Sequence, residues 1–345
     1  MKITYKNSKY TAFAGETVLD TLLRHEVAVP YSCKAGVCNV CVMAGDHHEH
    51  SISATNGLKN TLVRQGYFRS CQSITSQDIT LQDVENVSLF SAASVMEKDF
   101  LAPDVCRIRV RPATDLFYHA GQYLNIRMPN GEIRSYSLAS LPTQDEYLEF
   151  HIRKMENGIV SNWLFDDLDV GQKLDIQGPF GDCFYLPENE SGDILMIGTG
   201  TGLAPLVGIL RDAISSGHNG RIQIYHGGRI EPDLYMHKPL LELSNTFKNF
   251  QYFPCLSKPS TPLEDTMFNS LASDLAFFNN DNLKGSLVYL CGSPQMVTTA
   301  KRKAYLLGAD MKQIYVDPFI TKNLREGELE TTLPLNIGND RRNRL

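Results

Sequence analysis

Four cysteines constrain this 345-residue chain more than any other feature of its sequence. Cys33, Cys38 and Cys41 are separated by four and then by two residues, and Cys71 follows after 29 more. A spacing of four, two and a distant fourth cysteine is typical of the thiolates that hold a 2Fe–2S cluster. The sequence therefore predicts an iron–sulfur site, in which the segment around Gly36 forms a tight loop that brings backbone N–H groups to the cluster sulfurs.

Two other uses of these cysteines remain open. Structural zinc sites usually combine two short Cys-x2–4-Cys pairs, whereas here one uneven triplet is followed by a single cysteine. Disulfides form in oxidising compartments, and no feature of the sequence indicates one. The cluster is the preferred interpretation because its spacing rule is the one that this chain satisfies.

Length and composition narrow the class of protein. A chain of 345 residues is long for one core and indicates two or three domains, and 42% hydrophobic with 21% charged residues is typical of a soluble globular protein. The net charge of −6 comes without a Lys/Arg block, so no nucleic-acid partner is expected. The N-terminus enters an alternating strand without a signal core, and no apolar run reaches the ~18 residues of a membrane helix, so we expect a cytoplasmic protein without a membrane partner.

The first 90 residues form one small predicted module. A helix opens at Gly15–Thr17 and ends near His25, and strands are predicted at Lys2–Tyr5, Lys9–Phe13, Val40–Met43 and Ile79–Val84. This order resembles the plant-type ferredoxin fold, a small β-grasp sheet, over residues 1–87. A histidine loop, His47, His48 and His50, interrupts the module. His-rich tracts can bind metals, but a solvated loop is the preferred interpretation.

A second module follows the small-residue joint Ser91–Ser94. It carries Arg134-Ser135-Tyr136-Ser137 and then a glycine-led segment, Asn157–Leu164, in which Ser161 is the candidate cap of a helix. A helix N-terminus preceded by glycine can hold a phosphate, so the two segments together suggest a flavin site. Alternating segments predict an antiparallel β-barrel around them, with strands at Val105–Val110, Gln122–Met128 and Tyr147–Arg153.

A third module begins at Gly192. Ile194–Ile197 is a continuous apolar run, typical of a strand covered on both faces, and it leads through the turn Gly198–Gly202 into a helical pattern. Strand, glycine turn and helix form the phosphate-binding start of a dinucleotide domain, although the spacing is not Gly-x-Gly-x-x-Gly. Further strands are predicted at Arg221–Tyr225, Gln251–Leu256, Ser286–Leu290 and Gln313–Phe319, and Cys106, Cys183 and Cys255 are assigned to the core.

The order of these motifs resembles the ferredoxin–NADP reductase superfamily, whose FAD barrel carries Arg-x-Tyr-Ser and then a Gly-x-x-Ser helix start. The resemblance implies that Arg134 meets the flavin phosphates, that Tyr136 stacks on the isoalloxazine and that Ser137 sits near flavin N5. It further implies that the pyrophosphate of FAD is held by Gly158, Val160 and Ser161. In the third module, Asp233–Tyr235 resembles the family's Asp-Leu-Tyr motif, which implies that a helix starts there.

The same resemblance assigns the nicotinamide nucleotide. Cys291-Gly292-Ser293-Pro294-Gln295-Met296 resembles the Cys-Gly-x-Pro-x-Met motif beside the nicotinamide, and Phe319 matches an aromatic residue that shields the flavin. The implied catalytic residues are Ser137, Cys291 and Phe319. The implied nucleotide-binding residues are Gly198, Gly200, Thr201, Gly202, Cys291, Gly292 and Phe319.

The three modules in this order resemble the reductase components of bacterial multicomponent oxygenases, such as those of benzoate dioxygenase, phenol hydroxylase and soluble methane monooxygenase. The expected fold is multidomain α+β and α/β, with a ferredoxin domain at 1–90, an antiparallel FAD barrel at 91–189, a parallel-sheet NAD(P) domain at 190–320 and a tail at 321–345. The resemblance implies a monomer that passes electrons from NADH to FAD, to the cluster and to a soluble oxygenase component. FAD is preferred because related FMN reductases carry their ferredoxin at the C-terminus. NADH is favoured over NADPH because NADPH-selective members of the family place serine and arginine after the second strand of this module. NADPH stays open, since Arg229 could accommodate a 2′-phosphate.

Two other functions fit parts of this pattern. Reductases that serve deoxysugar dehydratases of the CDP-6-deoxyglucoseen type use the same modules in the same order, and nothing in the sequence separates them from oxygenase reductases. A redox sensor or binding protein could carry the same cofactors without turnover, which NADH oxidation at many turnovers would exclude. The sodium-pumping quinone reductase subunit shares the modules but begins with a membrane anchor that is not expected here.

Overall fold

The computed structural model describes residues 1–46, 51–58, 60–74, 77–82, 89–187, 190–259 and 263–320. The histidine loop at residues 47–50 and the tail at residues 321–345 lie outside these described residues. Within the described residues the chain forms three sheets of three to six strands and one two-stranded ribbon. No helix in this part of the chain is long and apolar enough to cross a membrane.

The N-terminal domain is built on a mixed three-stranded sheet. Its elements are β1 (Lys2–Tyr5), β2 (Ser8–Thr11), α1 (Val18–Arg24), β3 (Val42–Ala44), α2 (Ile52–Thr55), α3 (Asn60–Arg64), β4 (Tyr67–Arg69) and β5 (Ile79–Thr80). β1 pairs antiparallel with β2 and parallel with β5, while β3 and β4 form the ribbon. Thr17 caps α1 by accepting the N–H of Asp20 at 3.1 Å, and Leu19 and Leu22 bury the apolar face of α1 in the domain core. The ferredoxin-like fold predicted from the sequence is confirmed.

The second domain is a closed antiparallel barrel. Its strands are β6 (Ser91–Ala102), β7 (Val105–Pro112), β8 (Tyr123–Arg127), β9 (Ile133–Ser137), β10 (Leu148–Arg153) and β11 (Lys173–Phe180). They follow the order β10-β7-β6-β11-β8-β9, and an antiparallel bridge between Leu138 and Phe150 joins the two ends. The helix α4 (Ile159–Asn162) continues as a π-helical turn to Asp167 and covers one opening of the core.

The third domain is a parallel α/β sheet with helices on both faces. Its elements are β12 (Ile194–Thr199), α5 (Leu203–Ser215), β13 (Ile222–Gly228), α6 (His237–Thr246), β14 (Phe250–Leu256), β15 (Phe268–Asn269), α7 (Ala272–Asn279), β16 (Leu287–Gly292), α8 (Pro294–Leu306) and β17 (Ile314–Pro318). The strand order is β15-β14-β13-β12-β16-β17, and every pair is parallel. Separate apolar clusters cover the two faces, which explains the continuous apolar runs of the central strands.

Two local predictions are wrong. Ser91–Ser94 is not a joint between domains but the start of β6, because Ala93 and Val95 alternate into the barrel core and small side chains fit there. The helix predicted at Asp233–Tyr235 begins instead at His237. Asp233 ends a short 3-10 turn, in which its carboxylate accepts the N–H groups of Arg229 and Ile230.

Candidate functional site

The four predicted cluster ligands lie together in the N-terminal domain, and all four side chains are buried. The N–H groups of Ala35 and Cys38 point to the sulfur of Cys33 at 3.3 and 3.4 Å, and the Gln72 side-chain amide lies 3.6 Å from the sulfur of Cys71. These donors surround sulfur atoms as the sequence predicts, and such hydrogen bonds stabilise the thiolate form that iron requires.

The cluster loop adopts a backbone that few residues tolerate. Gly36 has φ +72°, and a Cβ added to it would approach Cγ of Gln72 to 2.7 Å. The Arg69 guanidinium donates to the carbonyl of Gly36 and so fixes the loop from the side. Glycine is therefore required at position 36 both for its backbone conformation and for the space around it.

The four thiols contact one another in two pairs, Cys33 with Cys38 and Cys41 with Cys71. The hydrogen bond between the side chains of Cys33 and Cys38 lowers the pKa of Cys33 to about 5 and raises the pKa of Cys38. In the same way the contact with Cys41 lowers the pKa of Cys71 to about 7, while the pKa of Cys41 is raised. Within the described ranges, no three His, Cys, Asp or Glu side chains surround a single metal position. Two thiols for each of two iron atoms is the arrangement that a 2Fe–2S cluster needs, so the donor set fits that cluster.

The predicted flavin residues of the first motif lie on β9. Ser137 donates a hydrogen bond from Oγ to Oδ2 of Asp317 at 2.6 Å and thereby connects the barrel to the third domain. Tyr136 is half-buried and packs against the barrel core. Arg134 pairs with Oε2 of Glu132 at 3.1 Å and donates to a backbone carbonyl at 2.6 Å, so its guanidinium lies along β9 in this structure.

The second flavin motif starts α4 as expected, but with a different cap. Gly158, not Ser161, is the N-cap, and a Cβ at Gly158 would collide with the hydroxyl of Ser161. Ser161 lies inside the helix, where its Oγ accepts the N–H of Met155 at 3.4 Å. Val160 is buried in the barrel core, so its side chain faces away from any ligand at the helix start. No described side chain caps the first turn of α4, and its N–H groups therefore fit a phosphate.

The glycine-rich turn of the third domain packs against the end of β16. Gly198 lies near the end of β12, a 3-10 turn covers Gly200 to Gly202, and α5 begins at the next residue. A Cβ on Gly202 would collide with the carbonyl of Cys291, and one on Gly292, at φ +114°, would lie 2.6 Å from the carbonyl of Thr199. Thr201, in the same turn, is half-buried. The two predicted nucleotide motifs therefore meet at the carboxyl ends of β12 and β16, where parallel sheets bind their ligands.

Cys291 and Phe319 lie at this same edge. The Cys291 side chain is fully buried, with its sulfur 3.7 Å from that of Cys183, and burial raises its pKa well above the usual value of a thiol. Phe319 follows β17, where its N–H donates to the carbonyl of Gly292 at 2.7 Å and its side chain remains partly exposed. Cys291 therefore stays protonated, and Phe319 is held by its backbone at the carboxyl end of β16.

Comparison with known families divides the chain in the same order. Residues 2–76 match the 2Fe-2S iron-sulfur cluster binding domain, residues 92–185 the oxidoreductase FAD-binding domain and residues 196–302 the oxidoreductase NAD-binding domain. A Ralstonia sp. protein, the ferredoxin–NAD(P)+ reductase component of naphthalene 1,2-dioxygenase/salicylate 5-hydroxylase systems, is 33% identical over 325 residues, or 91% of this chain and 96% of the relative. The chain belongs to the family of ferredoxin–NAD(P)+ reductase components.

Other relatives of this reductase agree with the assignment. The reductase subunit of an aromatic O-demethylase from Amycolatopsis sp. is 32% identical over 297 residues, which cover 82% of this chain and 87% of the relative. Among solved structures, the Amycolatopsis cytochrome P450 reductase GcoB superposes with a TM-score of 0.66 at 28% identity, covering 92% of the reductase and 98% of GcoB. The ferredoxin reductase of carbazole 1,9a-dioxygenase shares the fold with a TM-score of 0.63 at 21% identity, covering 92% and 98%.

Sequence reasoning missed the charged partner of Ser137 in the reductase. Burial raises the pKa of Asp317 to about 6, against the hydrogen bond from Ser137, which lowers it. The signal was present, because Asp317 stands two residues before Phe319 at the end of β17. Its contact with Ser137 was not predictable from local pattern, since the two residues are 180 positions apart.

A second missed set lies on β8, outside all of the motifs. The hydroxyl of Tyr123 donates to the carbonyl of Val37 at 2.6 Å, and Nδ2 of Asn125 donates to the carbonyl of Cys38 at 3.0 Å. The segment was recognised only as an alternating strand, and polar residues on the outside of a barrel are usually solvated. In the reductase they contact the cluster loop.

Proposed function

We propose that this reductase oxidises NADH and delivers the electrons singly, through FAD and a 2Fe–2S cluster, to a soluble oxygenase or hydroxylase component. The supporting observation is one continuous contact path across three domains. The cluster loop touches β8, β8 pairs with β9, and Ser137 at the end of β9 contacts Asp317 in the nucleotide domain. Flavin supplies the exchange between a hydride and single electrons, and the cluster supplies one-electron transfer.

In this scheme the residues of the chain hold the iron atoms, bind and orient the flavin, and cover one face of it. Cys33, Cys38, Cys41 and Cys71 would hold the two iron atoms as thiolates. At the barrel, Arg134 and the first N–H groups of α4 from Gly158 to Ser161 would bind the flavin phosphates, and Tyr136 would orient the ring.

At the nucleotide domain, the turn from Gly198 to Gly202 would bind the dinucleotide phosphates beside Cys291 and Gly292. Phe319 would cover the flavin face that nicotinamide must reach. The hydrogen bond from Ser137 Oγ to Asp317 keeps a polar pair at the boundary between the barrel and the nucleotide domain. It also holds the hydroxyl proton on the side of the carboxylate.

NADH is the proposed donor. By the family resemblance, NADPH-selective members place serine and arginine after the second strand of the nucleotide domain. Here Gly227 and Gly228 end β13, and Arg229 alone follows with an exposed side chain. Steady-state kinetics with both nucleotides test the proposal, which requires kcat/KM to be higher for NADH. A kcat/KM for NADPH that equals or exceeds the value for NADH would contradict the proposal.

The proposed electron order is tested by removing one cluster ligand. Cys38→Ser should abolish the visible absorption of the cluster and NADH-dependent cytochrome c reduction, while ferricyanide reduction, which can draw on flavin directly, persists. Cys255→Ser is the matched control, because Cys255 is also buried but lies in β14 of the nucleotide domain. Full cytochrome c activity in Cys38→Ser protein would contradict the scheme.

An oxygenase component is the proposed acceptor because relatives of this chain are named as reductase components of oxygenase systems. This proposal has a test of its own. The reductase should reduce a purified oxygenase or hydroxylase component encoded beside its gene in an NADH-dependent reaction. Neighbouring sugar-nucleotide enzymes, and reduction of a deoxysugar dehydratase instead, would favour the alternative function. Sedimentation of the purified protein tests the further proposal that it acts as a monomer.

A further inference from the structure

One face of β8 is covered by the cluster domain. Alternate residues of a strand share a face, and on β8 that face carries Tyr123, Asn125 and Arg127. Tyr123 and Asn125 donate to carbonyls of the cluster loop, and the Arg127 guanidinium lies 4.1 Å from the centre of the Phe90 ring. The intervening residues, Leu124 and Ile126, fill the barrel core. We call Tyr123, Asn125 and Arg127 the docking strip.

Asn125 is the centre of the docking strip and is fully buried. Its Nδ2 donates to the carbonyl of Cys38 and to Oε1 of Gln177, both at 3.0 Å, and its Oδ1 accepts from Oγ of Ser135 at 2.8 Å. Gln177 on β11 and Ser135 on β9 stand directly opposite Asn125 in the two neighbouring strands. The amide is thus held from both sides, so that one hydrogen atom remains aimed at the main chain of a predicted cluster ligand. A buried amide with satisfied partners fixes one geometry, because any other arrangement leaves polar atoms unpaired.

The docking strip also adjoins the flavin motif. Ser135 lies between Arg134 and Tyr136, and Tyr123 stands opposite Ser137 in the β8–β9 register. Neighbouring strands are about 4.8 Å apart. The residues that touch the cluster loop are therefore one strand away from the residues proposed to hold the flavin. An apolar patch beside them, in which Ile133 of β9 packs with Cys33, Cys38 and Val40, excludes water from the same contact.

We propose that Asn125 is a positioning residue for electron transfer: its bond to the Cys38 carbonyl holds the cluster loop against β8 and β9 and thereby sets the separation of cluster and flavin. Tyr123 supports it through Val37. The inference rests on the proposed function, because it concerns the step between the two cofactors. It adds a role for a barrel residue outside the cofactor-binding motifs.

The test compares two asparagines that make similar bonds. Asn125→Ala should slow single-turnover electron transfer from reduced flavin to the cluster by about tenfold or more, since small displacements of reacting groups have large effects on rate. Ferricyanide reduction and the flavin and iron content should stay within about twofold of the parent protein. Asn249→Ala is the matched control: Asn249 Nδ2 also donates to two oxygen atoms, in its case the main-chain carbonyls of His218 and Gly220, but both lie within the nucleotide domain.

A readout without turnover separates positioning from activity. Amide hydrogen exchange in residues 33–41 should accelerate in Asn125→Ala protein and not in Asn249→Ala protein. An unchanged transfer rate, unchanged exchange in the loop, or an equal loss of ferricyanide and cytochrome c reduction would each overturn the proposal. If Asn125→Ala protein does not fold, Tyr123→Phe removes only the hydroxyl that reaches Val37, and the same readouts apply. Absence of NADH-dependent cytochrome c reduction in the parent would instead refute the proposed function, and the exchange measurement would still test the docking.

Discussion

At the scale of single residues, Asp317 is an acid placed where ionisation is disfavoured. It contacts Ser137 across the boundary between barrel and nucleotide domain, and burial raises its pKa from 3.8 to about 6. Between these two values the native protein binds more protons than the unfolded chain. The free energy of unfolding that Asp317 contributes is therefore complete below about pH 4 and is lost as the pH rises through about 6.

Asp317→Asn should remove this pH dependence. The side chain remains partly exposed, so we expect the effect to be smaller than the full pKa shift implies, about 1 kcal/mol. The free energy of unfolding of the variant, relative to the parent, should rise by that amount between pH 5 and pH 8, as measured by urea denaturation at both pH values. The same difference at the two pH values would show that Asp317 has an ordinary pKa in the folded protein.

Tyr136 is the residue on which flavin retention should depend most directly. It is half-buried on β9 and packs against the barrel core, which leaves the ring fixed for stacking. Tyr136→Ala should weaken FAD binding by up to about tenfold, the equivalent of an aromatic contact. The ratio of FAD to protein after purification and a titration of the apoprotein measure it. Tyr305→Ala, on the exposed surface of α8, is the control, and equal FAD retention in both variants would refute the stacking role.

At the scale of elements, periodicity predicted most strands and the helices α1 and α5, because these elements bury their apolar residues in a regular pattern. The apolar run of β12 and the helical spacing of α5 are examples. Predictions were wrong where one residue type suits two structural roles. Small residues at the start of β6 resemble a linker, but they pair as a strand and Ala93 is buried in the barrel core; a serine in the first turn of α4 resembles a cap, although a glycine occupies the cap position.

The approach of the glycine turn to β16 gives a prediction at this scale. Gly202 has φ −59°, which any residue can adopt, so Gly202→Ala introduces no backbone strain but a collision with the main chain of Cys291 and Gly292. We expect a loss of about 2 kcal/mol in stability and a higher KM for NADH, because the turn must move away from β16. Gly217→Ala provides the comparison, since its Cβ meets no atom within 4 Å and its φ of +79° tests backbone strain alone. A KM for NADH equal in the two variants would contradict the role of the close approach.

At the scale of the whole molecule, the contacts between domains were not predictable from the sequence. The motifs predicted which residues belong to each cofactor, but not that Asn125 meets Cys38 across 87 positions or that His151 of β10 meets Tyr235 at 3.1 Å. Such contacts depend on which exposed faces meet after each domain has formed. Local patterns do not encode this choice, because a polar residue on a strand surface has the same pattern in water and in an interface.

The boundary between barrel and nucleotide domain is held in part by one bidentate ion pair. Arg211 of α5 donates to both carboxylate oxygens of Asp145, at 2.6 and 2.9 Å, and the Asp145 side chain is 8% exposed. Arg211→Ala should destabilise the protein by about 2 kcal/mol or more, because it leaves a buried carboxylate without its cationic partner.

In calorimetry, the Arg211→Ala variant should show separate unfolding transitions for the barrel and the nucleotide domain, since the ion pair couples the two domains. Arg221→Ala removes a similar pair with Asp193, but that pair lies within the nucleotide domain and both side chains are more than two-fifths exposed, at 45% and 44%. We expect it to change stability by less than about 0.5 kcal/mol and to leave the shape of the transition unchanged. If both variants give the same calorimetric trace, the Arg211–Asp145 pair does not couple the domains, and the barrel and nucleotide domain must be joined by their other contacts, among them Ser137–Asp317, His151–Tyr235 and the Arg153–Asp233 ion pair.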